Sequence, residues 1–338
     1  MINTLSQFSV LFVYSAMGIY ALAFIAFAMD LAGRGARATL SAEVPSAVER
    51  RAEAARAAET GGTTTTTMSR ITSRVENDVH WGPKKSVSLR VAFVLTTLGF
   101  AFHLVGDVLR GLAAGRVPWA NMWEFSMTGT LIIVGVFLLV NIKYDLRFLG
   151  AFITGLVLVL LGVAAVRYYV AVAPLPPALQ SYWLVIHVMV AIIATAFFAI
   201  GFALSGVQLL QSRREAQVVD GKPQQFRFLA TMPSSATLEN LAYRTNIVAF
   251  ILWTFTLIAG AIWAEKAWGR YWGWDTKEVW TFIIWVIYAG YIHARATRGW
   301  RGSRSAWLAI IGFSAVMFNF GIVNVFFHGL HSYSGLGS

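Results

Sequence analysis

The chain contains no cysteine. That excludes disulfides, thiolate metal ligands and thiol nucleophiles within it, so any thiol chemistry belongs to a partner. Charge is also scarce: 13% of the 338 residues are Asp, Glu, Lys or Arg, against 57% hydrophobic. With a mean hydropathy of +0.62, this balance excludes an ordinary soluble domain and points to burial in lipid. Several motifs are missing. There is no P-loop, no Gly-x-Gly-x-x-Gly at a strand-to-helix turn and no His-Glu-x-x-His pair, which leaves nucleotide hydrolysis, dinucleotide binding and zinc proteolysis without support.

What the chain has is apolar length. Eight runs near 6–29, 89–111, 126–141, 148–167, 183–210, 244–264, 278–295 and 305–328 approach the roughly 17–25 residues needed to cross a bilayer as a helix. None shows the alternation of a barrel strand, and every backbone polar group in lipid must be satisfied internally, so helices are expected. The expected fold is all-α: a polytopic bundle of about eight transmembrane helices.

Net charge is +11, and its distribution carries orientation. With alternating loops, one side holds only Arg110, Arg116, Arg167, Lys266, Arg270 and Lys277, and the other 21 of the 27 Lys and Arg lie on the opposite side. The positive-inside rule makes the richer side cytoplasmic and puts both termini outside. Attraction to anionic lipid accounts for the remaining charge, with no reason to invoke nucleic acid. The first run has no basic segment before it and is expected to remain as a helix, 1–32. Residues 33–88, with the five threonines Thr63 to Thr67, read as a largely disordered cytoplasmic linker. A transmembrane core, 89–338, follows.

Within that core the run Trp268-Gly-Arg270-Tyr-Trp272-Gly-Trp274-Asp275 stands out. Three tryptophans, a tyrosine and two glycines in eight residues make an aromatic platform on a bendable backbone, placed by the charge pattern on the outer face. Such a platform suits a flat apolar ligand, although Trp and Tyr also gather at membrane interfaces. Asp275 and Glu278 have the spacing of a helix capping box.

Six histidines are present, and four lie in or beside apolar runs, where ionisable groups are costly and point to function. His187 and His331 fall at the outer end, level with the tryptophans. His103 and His293 lie deeper, His293 toward the cytoplasm. Neutral imidazole is a good haem iron ligand, and a six-coordinate haem takes one ligand on each face. Bonding between helices is the plainer role for His103 or His293. His328, one turn before His331, competes with it, and His80 sits in the hydrophilic linker. Lys266, Arg270 and Lys277 are the cations available to haem propionates.

The segment from Trp263 through Trp268, Trp272, Trp274-Asp275-Thr-Lys277-Glu278 to Trp280, together with Tyr291-Ile-His293-Ala-Arg295, Gly329-Leu-His331-Ser-Tyr333 and Asn121-Met-Trp-Glu124, resembles the CcsA/ResC family of cytochrome c biogenesis proteins, which carry a tryptophan-rich "WWD" domain. The match runs from about residue 89 onward, with the WWD loop at 263–280. It departs at Thr276, where the family usually has proline. The resemblance implies haem delivery across the cell membrane and a cytochrome c synthase (haem lyase) subunit that forms thioether bonds to an apocytochrome c, working with a ResB/CcsB-type membrane partner. Haem b would be both substrate and ligand. By the same resemblance, His187 and His331 map to the outer, catalytic iron ligands, with Trp268, Trp272, Trp274, Asp275 and Arg270 around the haem. His103 and His293 map to a deeper haem site. The competing expectations are a membrane haem b electron-transfer protein and a transporter of another flat apolar substrate.

Overall fold

The computed structural model describes residues 2–43, 86–223, 226–297, 299–327, 329–331 and 335. His80, His328, Tyr333 and most of the expected linker, 44–85, lie outside them. The described residues are helical, with no strand among them. In chain order the helices are α1 (Ile2–Glu43), α2 (Val87–Ala114), α3 (Met122–Lys143), α4 (Gly150–Arg167), α5 (Tyr182–Val219), α6 (Ser235–Trp268), α7 (Thr276–Thr297) and α8 (Ser303–Phe318). A π-helical turn at Asn319–Val323 and a short α9 (Asn324–Phe326) continue α8. Helix α1 extends past the expected boundary at residue 32.

Seven of the described helices are long and apolar enough to cross a membrane. Helix α7, the expected span over 278–295, forms but is not among them. Its sequence explains this: Trp280, Thr281, Trp285, Tyr288, Tyr291 and His293 fill with aromatic and polar groups the positions that Leu and Val hold elsewhere.

The helix limits follow from local chemistry. Ser86, Asn121, Ser181 and Ser234 each accept a backbone N–H of the first turn of α2, α3, α5 and α6, as N-caps do. Gly115 and Gly269 close α2 and α6 in the left-handed conformation, at φ 63° and 70°, which glycine adopts without penalty.

Lipid is as apolar as leucine, so close packing and internal polar contacts hold such helices together. Helices α1 and α2 form an antiparallel pair. On α1 the buried positions are Ser9, Val13, Ala16, Tyr20, Ala23, Phe27 and Asp30, and on α2 they include Ala92, Thr96, Gly99, His103, Gly106, Arg110 and Ala113. Both follow the alternating four-and-three spacing of a left-handed coiled seam. Small residues let the backbones approach: Ser9 Oγ donates to the Gly106 carbonyl at 2.7 Å, and a Cβ on Gly99 would meet the Tyr20 ring at 2.7 Å.

This pair packs against α4 and α3, and the long α5–α6 hairpin packs on the other side of α3. Helix α8 lies between α5 and α7, where Phe198 and Tyr288 stack at 3.7 Å between ring centroids. A buried ion-pair cluster joins α2 to α3. Arg110 Nε meets Glu124 Oε1 at 3.0 Å, Arg116 Nη1 meets Glu124 Oε2 at 2.6 Å, and Arg110 Nη2 donates to the Val170 carbonyl at 2.8 Å. Glu124 thereby ties the Asn121-Met-Trp-Glu124 segment to the end of α2, and removing one member of such a buried pair costs about 3–5 kcal/mol.

Candidate functional site

The C-terminal ends of α6 and α8 and the N-terminal ends of α3, α5 and α7 converge on one side of the bundle and enclose a cavity of about 190 Å³. Its wall is mainly apolar and aromatic, including Trp119, Phe125, Trp253, Trp263 and Phe320, and both His187 and His331 line it. A concave apolar site with a few convergent polar groups is what a small-molecule site looks like.

The two imidazoles are held alike. His187 Nδ1 lies 2.9 Å from the Thr256 carbonyl oxygen. A carbonyl only accepts, so Nδ1 carries the proton and Nε2 keeps its lone pair. His331 Nδ1 lies 3.0 Å from Asp275 Oδ1, which fixes the same tautomer. Both nitrogens that can coordinate a metal are therefore the Nε2 atoms, and a carboxylate or carbonyl behind Nδ1 is the usual support for a ligating histidine.

One indole links the pair. Trp263 is stacked near-parallel to His187 with centroids 5.9 Å apart and meets His331 edge-on at 5.4 Å. Its Nε1–H is spent on the Ala178 carbonyl at 3.0 Å, which fixes the ring. Trp268 closes on His331 at 4.8 Å and on Trp263 at 4.7 Å. Room for His187 comes from Gly260 on α6, where a Cβ would lie 2.7 Å from the imidazole.

Asp275 is the organising residue of the loop. Its Oδ1 accepts from the Lys277 backbone N–H at 3.0 Å and its Oδ2 from the Leu330 N–H at 2.8 Å, while Glu278 Oε2 accepts from the Asp275 N–H at 3.1 Å. The capping box read from the sequence forms, and the same carboxylate also captures the His331 segment. Hydrogen bonding from His331, the largest influence, opposes burial and lowers the Asp275 carboxyl to about pKa 2. Gly329 allows this approach, since a Cβ there would collide with Asp275.

Trp268 backs the Trp263 and His331 rings without lining the cavity itself, and the rest of the tryptophan platform turns elsewhere. Trp272 and Trp274 pack on each other at 5.8 Å, are 38% and 77% exposed, and do not line the cavity. Trp274 has φ 60°, an uncommon conformation for a residue with a Cβ. Arg270 reaches Glu278 at 3.4 Å and lies over the Trp268 ring at 5.9 Å. Gly273 leaves space for that guanidinium.

The deeper histidines are not brought together among the described residues. His103 is 0% exposed in the α1–α2 seam, with Nδ1 3.5 Å from the Tyr20 hydroxyl. His293 is exposed on α7. Neither lines the cavity.

With this geometry in view, comparison with known proteins is specific. The model of the cytochrome c assembly protein family matches residues 119–331, an interval that runs from one cavity-lining residue, Trp119, to another, His331. The chain belongs to the cytochrome c assembly protein family. It is 34% identical over 291 residues to the cytochrome c biogenesis protein CcsA of Prochlorococcus marinus, covering 73% of this chain and 92% of that one. The CcsA of Guillardia theta is 36% identical over 242 residues, covering 67% of this chain and 80% of its own. The solved structure of the cytochrome c haem lyase CcmF shares the fold, with a TM-score of 0.59 at 16% identity. That alignment takes in 98% of this chain but only half of the lyase. The chain is thus a multi-pass membrane member of a cytochrome c biogenesis family.

Residues missed at the level of sequence are those that act through backbone or second contacts. Thr256 contributes a carbonyl, which no side-chain pattern reveals. Trp263 lies within the WWD segment without a role in the sequence reading, and Gly260 sits in an Ala259-Gly260-Ala261 stretch that gives no local signal of its place beside His187.

Proposed function

We propose that this protein carries haem across the membrane and presents it for covalent attachment to apocytochrome c, together with a ResB/CcsB-type partner. One observation carries the reading: two imidazoles, each with Nδ1 engaged and Nε2 without a hydrogen-bond partner among the described residues, line a single apolar cavity walled by indoles. Haem b, as substrate, fits that donor set, since a neutral imidazole on each face is a ligand set of six-coordinate haem iron. Four further elements belong to this reading: α7 completes eight membrane spans, both termini and the WWD loop face outward, the membrane is the cell membrane, and His103 and His293 serve haem on its way.

The chemistry is addition. Each thiol of the apocytochrome adds across one haem vinyl group, the sulfur bonding the vinyl carbon next to the ring and a proton ending on the terminal carbon, without net oxidation. The chain's contribution is to fix one reactant so that the encounter becomes nearly unimolecular. His187 and His331 hold the iron, Asp275 and the Thr256 carbonyl hold their rings, and Trp263, backed by Trp268, excludes water.

The test is cytochrome maturation in cells carrying this chain, a ResB-type partner and an apocytochrome reporter, read as covalently bound haem. Wild type is expected to mature the reporter, whereas His187→Ala and His331→Ala abolish maturation at unchanged protein levels. Maturation by both variants at the wild-type level would overturn the proposal.

A further inference from the structure

Of the six cations on the proposed outer side, Lys266, Arg270 and Lys277 lie in or beside the tryptophan-rich segment, and their surroundings separate them. Lys266 pairs with Glu265 at 3.0 Å on an exposed surface, and Arg270 pairs with Glu278. Lys277, on the first turn of α7, is the only Lys or Arg among the described residues that line the cavity, and no carboxylate lies within salt-bridge distance of it among the described residues. Its Nζ donates to Asn324 Oδ1 on α9. An ammonium has three N–H donors, so two remain.

The neighbours of Lys277 form a polar corner in this apolar chamber. Thr281, Asn319 and Asn324 all line the cavity with it. Asn319 is 6% exposed, its Nδ2 reaches Thr281 Oγ1 only at 3.5 Å, and its Oδ1 has no hydrogen-bond partner among the described residues. A buried amide left short of partners calls for explanation. Thr281 Oγ1 gives its one proton to the Lys277 carbonyl at 2.7 Å, so it accepts from Asn319 Nδ2, and that amide nitrogen keeps a second N–H for a ligand. Asn319 opens the π-helical turn, a distortion that recurs at functional sites. The turn brings Asn319 and Asn324 of one helix end to the same corner.

We infer that Lys277, with Asn319 and Asn324, forms a subsite for a carboxylate carried by the cavity's flat apolar ligand, which is a haem propionate. The inference rests on the proposed haem-handling function. Two free ammonium donors and an amide can meet one carboxylate by charge-assisted hydrogen bonds. A fixed propionate also fixes rotation of the macrocycle about the iron axis, which two imidazoles alone leave free. Lys277 is then a positioning residue that decides which edge of the ring faces outward.

The experiment is titration of the purified full-length protein with haem and with its propionate dimethyl ester. The diester is expected to bind wild type at least about tenfold more weakly than haem, the loss of one hydrogen bond to a charged group. Lys277→Gln should lose the same factor for haem and nothing further for the diester, and Lys277→Arg should retain most of the haem affinity. Equal wild-type affinity for haem and diester overturns the subsite, as does an equal loss of both ligands in Lys277→Gln, and the wild-type arm reads out even if that variant fails to fold. If neither ligand binds wild type, the haem-handling reading itself falls. If haem binds through His187 but the two ligands bind equally, only the subsite falls.

Discussion

His103 in the α1–α2 seam and His187 in the cavity are both histidines of apolar helices, and they are treated in opposite ways. His103 occupies a knob position of a coiled pair, fully enclosed, with the Tyr20 hydroxyl at the limit of a hydrogen bond. His187 faces open space, has its Nδ1 bound to a carbonyl at 2.9 Å, and is backed by a glycine that leaves room for the ring. The same contrast extends to the second members: His331 is held by Asp275, whereas His293 is exposed on α7. A histidine in a membrane helix is thus defined less by its depth than by what binds its far nitrogen and whether the near one meets a cavity.

Substitution can break that contrast. The largest expected effect is the difference between His103→Phe and His187→Ala, read as the absorption bands of haem added to the purified protein, which loads the outer site without passage by way of His103. His187→Ala is expected to remove the bis-imidazole bands, while His103→Phe, filling a packed seam, leaves the bands of the outer site in place. Loss of those bands in His103→Phe would erase the distinction.

Asp275→Asn sharpens it, because it keeps the shape and removes the charge behind His331. Loss of the group that orients a ligating imidazole costs about 10–100-fold in metal affinity, so a fall of that size in haem affinity by titration is expected. Acid dependence follows from the same bond. A carboxyl lowered to about 2 contributes its full stabilisation above the ordinary carboxylate pKa of about 3.9 and loses it as pH falls toward 2. The stability of the fold should therefore fall between about pH 4 and 2, read by unfolding at fixed temperature, with a step that is absent from Asp275→Asn.

Gly260→Ala is expected to act more mildly. Its methyl group must displace His187 from the Thr256 carbonyl, and a several-fold loss of haem affinity with normal folding is the predicted result of titration. The smallest effect is expected at Trp274, exposed and outside the cavity wall. Trp274→Ala should leave haem affinity within about twofold, and any defect in maturation would then report contact with the partner or the apocytochrome.

Much of the fold was legible, because hydropathy alone locates the helices: seven of the eight expected runs correspond to helices long and apolar enough to span a membrane. The same uniform apolarity hid which face each helix buries. The α1–α2 seam is marked by small and polar residues such as Ser9, Thr96, Gly99 and Gly106 at four-and-three spacing, a signal that a search for hydrophobic periodicity passes over. At the site, side-chain chemistry named His187, His331 and Asp275, but their geometry depends on tertiary contacts. The Thr256 carbonyl is 69 residues from His187 and Asp275 is 56 residues from His331, and no local pattern encodes either pairing. The tryptophan run was visible as a unit, yet its rings divide: Trp268 turns inward to His331, while Trp272 and Trp274 turn out.

Rescue by free imidazole probes the paired ligands themselves. In His187→Gly and His331→Gly, haem is expected to lose its six-coordinate low-spin spectrum, and added imidazole is expected to restore it in each variant by occupying the vacated position. A six-coordinate spectrum that persists in both variants without added imidazole would contradict the assignment of His187 and His331 as the two iron ligands.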